Sequence, residues 1–274
     1  MAGGVALPGR AATRLVSAPM LAPFPSFRST TGRGQPGQVR PRPHPMPDII
    51  AFDADDTLWK NQPHYDQVEA ELLRILAPYA DLSTSNARLY EVQRANMELF
   101  GYGAKSFMLS MIETAIQLSG GTVPGAAIQR IIDLGRALLR YPIEPLPDVV
   151  EVLNELKRRG YRLVLLTKGD LLDQESKVAR SGLGDYFDHV EIVSEKDGPT
   201  YRRLFARLGI TPDNFVMIGN SLKSDILPVV RLGYRAIHVP YHANWIHEHV
   251  PAEQLAGLEF AAVAQLREVL ALLG

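Results

Sequence analysis

The 274-residue chain contains no cysteine. That excludes disulfides, thiolate metal sites and cysteine nucleophiles, and it fits a reducing compartment such as the cytosol. No apolar run approaches the roughly 20 residues of a membrane span, so no membrane partner is expected. Acidic residues and lysine are missing from residues 1–45, which hold six arginines. The overall formal charge of -1 therefore conceals a remainder with 23 basic against 30 acidic residues, a balance of -7. A mildly acidic body argues against sequence-independent nucleic-acid binding, which needs a basic face. With 46% hydrophobic and 22% charged residues, the composition is that of a soluble globular protein of one or two domains with a sizeable core.

Residues 1–45 are rich in Gly, Pro, Ala and Arg and sustain neither a period of 2 nor one of 3.6, so they read as disordered. Three origins are compatible with this composition: an organelle transit peptide, a flexible tail, or an upstream extension with Met46 as the true initiator. The prolines count against the amphipathic helix of a transit peptide. Tail or misplaced start is preferred, and with it a cytoplasmic location over organelle import.

From Met46 the pattern changes. "DIIAFD" (48–53) reads as a buried strand, and a long segment of helical periodicity follows. Val68, Leu72, Ile75 and Leu76 share one face of the first helix, over 64–79. A second helix is expected to be capped at Ser85 and to end at Gly101, and "SFMLSMIETAIQL" and "AAIQRIIDLGRALL" give two more apolar-faced helices. The helical insertion spans 60–145. Beyond it, helices and strands alternate: strands at 162–167, 190–194, 214–219 and 235–240, with helices at 147–160, near 171–181, at 200–209 and at 224–233. Alternation with continuous apolar strands predicts an α/β fold, a doubly wound parallel sheet built from residues 46–59 and 146–274.

In such a sheet ligands bind outside the carboxyl ends of the strands. Those ends carry Asp53, Asp55 and Thr57; Thr167, Lys168 and Gly169; Glu195 and Lys196; and Gly219, Asn220 and Ser221, with Asp225 one turn further on. Each group alone is unremarkable, since Asp, Thr and Ser are common turn and cap residues. Together they deliver carboxylates, hydroxyls and a lysine to one rim.

"FDADDTL", "LLTKG", the downstream Lys196 and "MIGNSLKSD" resemble, in order, the four motifs of the haloacid dehalogenase-like hydrolase superfamily. The helical insertion resembles its type 1 cap, and the core its Rossmann-like fold. A carboxylate is a competent nucleophile for phosphoryl transfer, giving an aspartyl phosphate that water hydrolyses, and Asp53 is the candidate. The resemblance gives Asp55 the acid and base role, for which its pKa must be raised above the ordinary value. Dehalogenases of the superfamily lack an acid at this second position, so Asp55 favours phosphate ester hydrolysis.

Carboxylates crowded around an incoming phosphate require a divalent cation, and hard oxygen ligands select Mg²⁺. By resemblance its ligands are the Asp53 side chain, the Asp55 backbone carbonyl and Asp225, with Asn220 standing where the family often has an acid. Lys196 is assigned to steady nucleophile and phosphoryl group, ahead of the rival lysines Lys177 and Lys168. Thr167 and the backbone N–H groups of Lys168 and Gly169 are assigned to phosphoryl oxygens.

The cap is expected to select the substrate. In "FGYGAKSF", Tyr102 and Lys105 either face the substrate or belong to a plain interhelix turn. His242, Trp245, His247 and His249 read as surface and packing, not as a zinc site. The expected function is a Mg²⁺-dependent phosphatase acting on a small phosphorylated metabolite. The alternatives are a phosphoryl-transferring mutase of the same superfamily and a catalytically weak binding or regulatory module. Oligomeric state is not readable from the sequence.

Overall fold

A computed structural model describes residues 47–243 and 245–273; the expectation for residues 1–45 lies outside them. Six parallel strands form one sheet in the order β3-β2-β1-β4-β5-β6. They are β1 (Ile49–Phe52), β2 (Arg162–Lys168), β3 (His189–Val193), β4 (Phe215–Gly219), β5 (Arg235–His238) and β6 (Ala261–Ala262). The order reverses next to β1, between β2 and β4, which is where a doubly wound sheet opens a crevice for ligands.

The central strands are apolar on both faces because each face is covered. Ile50 and Phe52 of β1, Leu163 and Leu165 of β2, and Val216 and Ile218 of β4 pack on one side with α5 (Val149–Arg158). The intervening residues Ile49, Ala51, Val164, Leu166, Phe215 and Met217 pack on the other with α7 (Gly198–Leu208). The period of two thus survives inside runs that look uniformly hydrophobic. Register sets Phe52 opposite both Leu165 and Ile218, so Asp53 and Gly219 leave the sheet side by side.

Between β1 and α5 lie α1 (Gln62–Leu76), α2 (Leu82–Phe100), α3 (Ala104–Leu118) and α4 (Gly125–Leu138). They hold an apolar cluster of their own around Leu72, Leu76, Met111 and Ile131. The strands of chain entering and leaving this bundle run antiparallel, with Trp59 bridged to Pro145 and the Lys60 N–H donating to the Glu144 carbonyl at 3.2 Å.

Two local expectations are corrected. The N-cap of α2 is Asp81, whose carboxylate accepts the Thr84 N–H at 2.7 Å. Ser85 lies one turn inside and is buried, because the helix begins at the earlier acceptor with extended backbone. The helix read over 224–233 is a wide π-type turn, Leu222–Ile226, followed by a four-residue α8, Leu227–Val230. Pro228 lacks the N–H that would continue a regular ladder. No described helix is long and apolar enough to cross a membrane.

Candidate active site

The acidic stretch after β1 divides its labour. Asp56 sits at φ 63° and its carboxylate accepts the N–H groups of Asn61 and Gln62, at 2.9 Å each for the shorter contacts, at the start of α1. Burial pushes it up to about 7. Its position is structural: it answers the orphan donors at a helix N-terminus. Thr57 turns back instead. Its hydroxyl lies 3.0 Å from Asp53 Oδ2 and 3.2 Å from Asn220 Oδ1, and it accepts the Asn220 N–H at 3.0 Å.

Lys196, reached from β3, is fully buried and donates to Asp53 Oδ1 at 2.5 Å and to Asp225 Oδ1 at 2.7 Å. Asp225 Oδ2 accepts the Ser221 N–H at 3.0 Å. A Cβ on Gly219 would overlap the Asp225 carboxylate, so only glycine at the end of β4 lets this acid pack against the strand. Burial pushes Asp53 up to about 7; Lys196 pulls it down, and Asp225 pushes it up again. Asp225 is also raised, chiefly by burial and against the pull of Lys196. Burial lowers Lys196, but Asp225 and Asp53 together hold it above its ordinary value. One ammonium shared by two buried carboxylates leaves negative charge uncompensated.

Asp55 behaves differently from the expectation of a raised pKa. Its carboxylate takes the Trp59 Nε1–H at 2.7 Å, the Gln174 amide at 2.9 Å, and the Lys177 ammonium at 2.9 and 3.1 Å. Burial pushes it up, but the Lys177 ammonium and the two neutral donors, Gln174 and Trp59, outweigh this and hold it below its ordinary value. Every one of these contacts favours the ionised form. Lys177 is itself buried and also donates to Asn61 Oδ1 at 2.9 Å, tying α6 (Leu171–Ser181) to the start of α1.

Thr167 lines the cavity and is fully buried, its hydroxyl 3.3 Å from Gln174 Oε1. The Gly169 N–H is not available to a phosphoryl group, because it donates to the Val193 carbonyl at 3.1 Å and extends the β2–β3 ladder. Gly169 matters for space: a Cβ there would come within 2.8 Å of Gln174 Nε2, the amide that holds Asp55. The Lys168 ammonium turns to Glu248 Oε1 at 2.6 Å and Ser224 Oγ at 3.0 Å.

Tyr102 reaches the cavity, with its hydroxyl donating to Glu195 Oε2 at 2.5 Å and Lys168 Nζ lying 4.2 Å from its ring centre. Lys105 does not; it pairs with Asp170 at 2.8 Å and is half exposed. The histidine stretch is also more than surface. His247 stacks on Tyr90 of α2 and hydrogen-bonds Gln93 at 3.0 Å, while Trp245, Glu248 and His249 line the cavity.

These residues surround a cavity of about 660 Å³, with Asp53, Asn220 and Asp225 at its base and Tyr65, Gln93 and Tyr102 of the helical insertion above. Glu248, Gln174 and Trp59 were not among the sequence candidates for the site, and Lys177 was weighed only as a rival to Lys196. The partners of Glu248, Lys177 and Gln174 lie 80, 122 and 119 residues away, and no local period announces such contacts.

Among the described residues there is no cluster of three or more His, Cys, Asp or Glu placed to hold a metal. The donor set at the base is two carboxylates, Asp53 and Asp225, with the amide oxygen of Asn220 beside Thr57. It fits a hard divalent cation that keeps part of its water, as Mg²⁺ does.

Residues 47–233 match the haloacid dehalogenase-like hydrolases, and the chain belongs to that family. It is 27% identical over 235 residues to a glyceraldehyde 3-phosphate phosphatase of Methanothermobacter thermautotrophicus, covering 81% of this chain and 98% of that one. A phosphoserine phosphatase of Thermus thermophilus is 26% identical over 178 residues, 63% of this chain and 68% of the relative. Among solved structures, a haloacid dehalogenase-like family hydrolase from Xanthomonas campestris superposes with a TM-score of 0.73 at 38% identity, covering 84% of this chain and 95% of that one.

Proposed function

We propose that the protein releases inorganic phosphate from a small phosphate ester through an aspartyl phosphate on Asp53, with Mg²⁺ held by Asp53, Asp225, the Asp55 backbone carbonyl and Asn220. Its class, a phosphoric monoester hydrolase, follows from the family and from relatives that are phosphatases. The observation that carries the mechanism is Lys196 buried between Asp53 and Asp225 at the floor of the cavity.

An Asp53 oxygen attacks phosphorus, the bond to the leaving oxygen breaks, and the departing oxygen takes a proton. Asp55, two residues on, is the group positioned to give it. Water then attacks the aspartyl phosphate and yields its proton to Asp55, which restores Asp53 and frees phosphate. In the arrangement described here Asp55 is ionised and ready as a base. To act first as an acid it must take up a proton while the Lys177, Gln174 and Trp59 contacts loosen. Lys196 fixes the attacking carboxylate and offers positive charge to the phosphoryl oxygens, and Thr167 offers a hydroxyl. When bound, Mg²⁺ supplies charge neutralisation for carboxylate and phosphate brought together.

The helices α1–α4 (60–145) act as a cap over the core (46–59 and 146–274). They supply Tyr65, Gln93 and Tyr102 to the cavity roof. Phosphate release from p-nitrophenyl phosphate, measured with Mg²⁺ and with chelator, tests the reading. Metal-dependent release that disappears in Asp53→Asn is expected. Release insensitive to chelator removes the metal, and no release at all removes the activity.

A further inference from the structure

The relatives named above include phosphatases for an aldehyde and for an amino acid, so the family leaves the leaving group open. We infer that the cavity takes an uncharged, hydroxyl- or carbonyl-bearing leaving group and turns away esters carrying a second anionic group, and that Glu248 sets this preference. The inference rests on the phosphatase reading.

The described residues lining the cavity include six carboxylates and three lysines, and no arginine. Each lysine is already engaged: Lys196 by Asp53 and Asp225, Lys177 by Asp55, Lys168 by Glu248. A substrate carboxylate entering this space needs a cationic partner, because an ionised group stripped of water and left unpaired is strongly disfavoured.

Lys168 is the cation that could serve, since it lies 4.2 Å from the ring centre of Tyr102, an insertion residue that reaches down to the core. Yet its surroundings are net negative. Glu248 lies at 2.6 Å and Glu195 at 3.5 Å. Glu248 is fixed in place, with the hydroxyls of Ser221 and Ser224 donating to it, the latter at 2.8 and 2.9 Å. A second anion approaching Lys168 therefore meets a carboxylate that already holds the ammonium. Apart from Glu69, the upper lining offers neutral polar groups, Gln93, Ser106 and Tyr65, beside the apolar faces of Phe107 and, from the core, Trp245. Neutral donors and acceptors interleaved with rings suit hydroxyl and carbonyl groups on a short carbon skeleton.

The test uses the full chain with Mg²⁺ and a matched pair of esters, D-glyceraldehyde 3-phosphate and 3-phosphoglycerate, which differ by an aldehyde against a carboxylate. p-Nitrophenyl phosphate is run alongside. Wild type is expected to show at least about a tenfold higher kcat/KM for the aldehyde. Glu248→Gln frees the charge on Lys168 while keeping the side chain's shape, and is expected to narrow that ratio at least about fivefold, whatever happens to the absolute rates. Glu69→Gln, which removes a different carboxylate lining the cavity, is expected to narrow it in the same direction by less. Equal or reversed preference in the wild type overturns the inference alone. A ratio unmoved in Glu248→Gln, with p-nitrophenyl phosphate still cleaved, removes Glu248 from the role. A Glu248→Gln chain that fails to fold leaves the wild-type ratio and Glu69→Gln to decide. No release from any ester, p-nitrophenyl phosphate included, overturns the phosphatase reading and takes this inference with it.

Discussion

Lys196 and Lys177 both lie buried beside a pair of aspartates, Asp53 and Asp225 for the first, Asp55 and Asp173 for the second, and the leading aspartates of the two clusters move in opposite directions. Asp53 is raised to about 7 and Asp55 is lowered. The difference lies in how one positive charge is divided. Lys196 is within hydrogen-bond distance of both its partners, at 2.5 and 2.7 Å. Lys177 reaches Asp55 at 2.9 Å but stands 3.8 Å from Asp173, and Gln174 and Trp59 add neutral donors to Asp55. The first cluster is short of positive charge and suits a cation and a transferring group. The second gives its lysine and both neutral donors to Asp55, leaving Asp173 raised by burial, and suits holding one carboxylate in one orientation.

The largest effect that separates them is expected from Asp53→Asn, which removes a nucleophile and should cut turnover by about 10³-fold or more. Single-turnover phosphate release is the measurement, and a variant keeping a few per cent of activity would falsify the aspartyl-phosphate route. Lys177→Met should cost about 10²-fold in kcat, because Asp55 loses the partner that positions it. It should also destabilise the fold by about 3–5 kcal/mol, because Asp55 and Asp173 stay buried without their cation. Denaturant unfolding near wild type, together with unchanged kcat, would show that the second cluster does not hold Asp55.

Gly219→Ala tests the first cluster through its backing. The added methyl displaces Asp225 from β4, and a loss of about 10- to 100-fold in kcat/KM is expected from a misplaced carboxylate. Full activity in this variant would mean that Asp225 has room to shift without consequence.

Much of the first cluster could be read from the sequence because strand ends in a parallel sheet are predictable places. "DIIAFD", "RLVLLT" and "NFVMIG" are apolar runs with polar ends, and register then brings Asp53, Thr167, Asn220 and Asp225 to one rim. In the second cluster Asp55 was legible but its surroundings were not. Lys177 entered only as a rival to Lys196; it lies mid-helix, 122 residues from Asp55, and nothing local pairs the two. Asp56 was readable in principle, as an acid shortly before a helix that opens with Gln62 and Pro63. The Gly169 N–H looked free because the sequence does not say where a strand ladder ends.

The two clusters should also oppose each other in acid. Asp55, held below 3.8, contributes stability that is present above that value and lost as pH falls through its lower folded value. Asp53, raised from 3.8 to about 7, binds its proton more tightly when folded. Its contribution is therefore complete below 3.8 and lost as pH rises through about 7. Metal-free protein should gain a few degrees in Tm, about 2–4 °C per kcal/mol at this size, on going from pH 8 to pH 6, and Asp53→Asn should gain less. Equal gains in the two proteins would remove Asp53 as the source.

The smallest expected effect sharpens the comparison at its most ambiguous position. Asn220 Oδ1 lies 3.2 Å from the Thr57 hydroxyl, which also touches Asp53. Asn220→Asp keeps an acceptor for Thr57 and adds a negative charge to a cluster already short of positive charge. Without metal that charge is unfavourable, and Tm measured in chelator should fall. With metal it is favourable, because a third carboxylate strengthens the attraction for a divalent ion. The Mg²⁺ concentration for half-maximal phosphate release should therefore drop by about 3- to 10-fold, and saturating Mg²⁺ should restore Tm toward wild type. A lower Tm in chelator with an unchanged Mg²⁺ requirement would place Asn220 beside the cation site but outside it. An unchanged Tm in chelator would show instead that the Lys196 cluster is not short of positive charge, and the contrast with Lys177 would fail at its root.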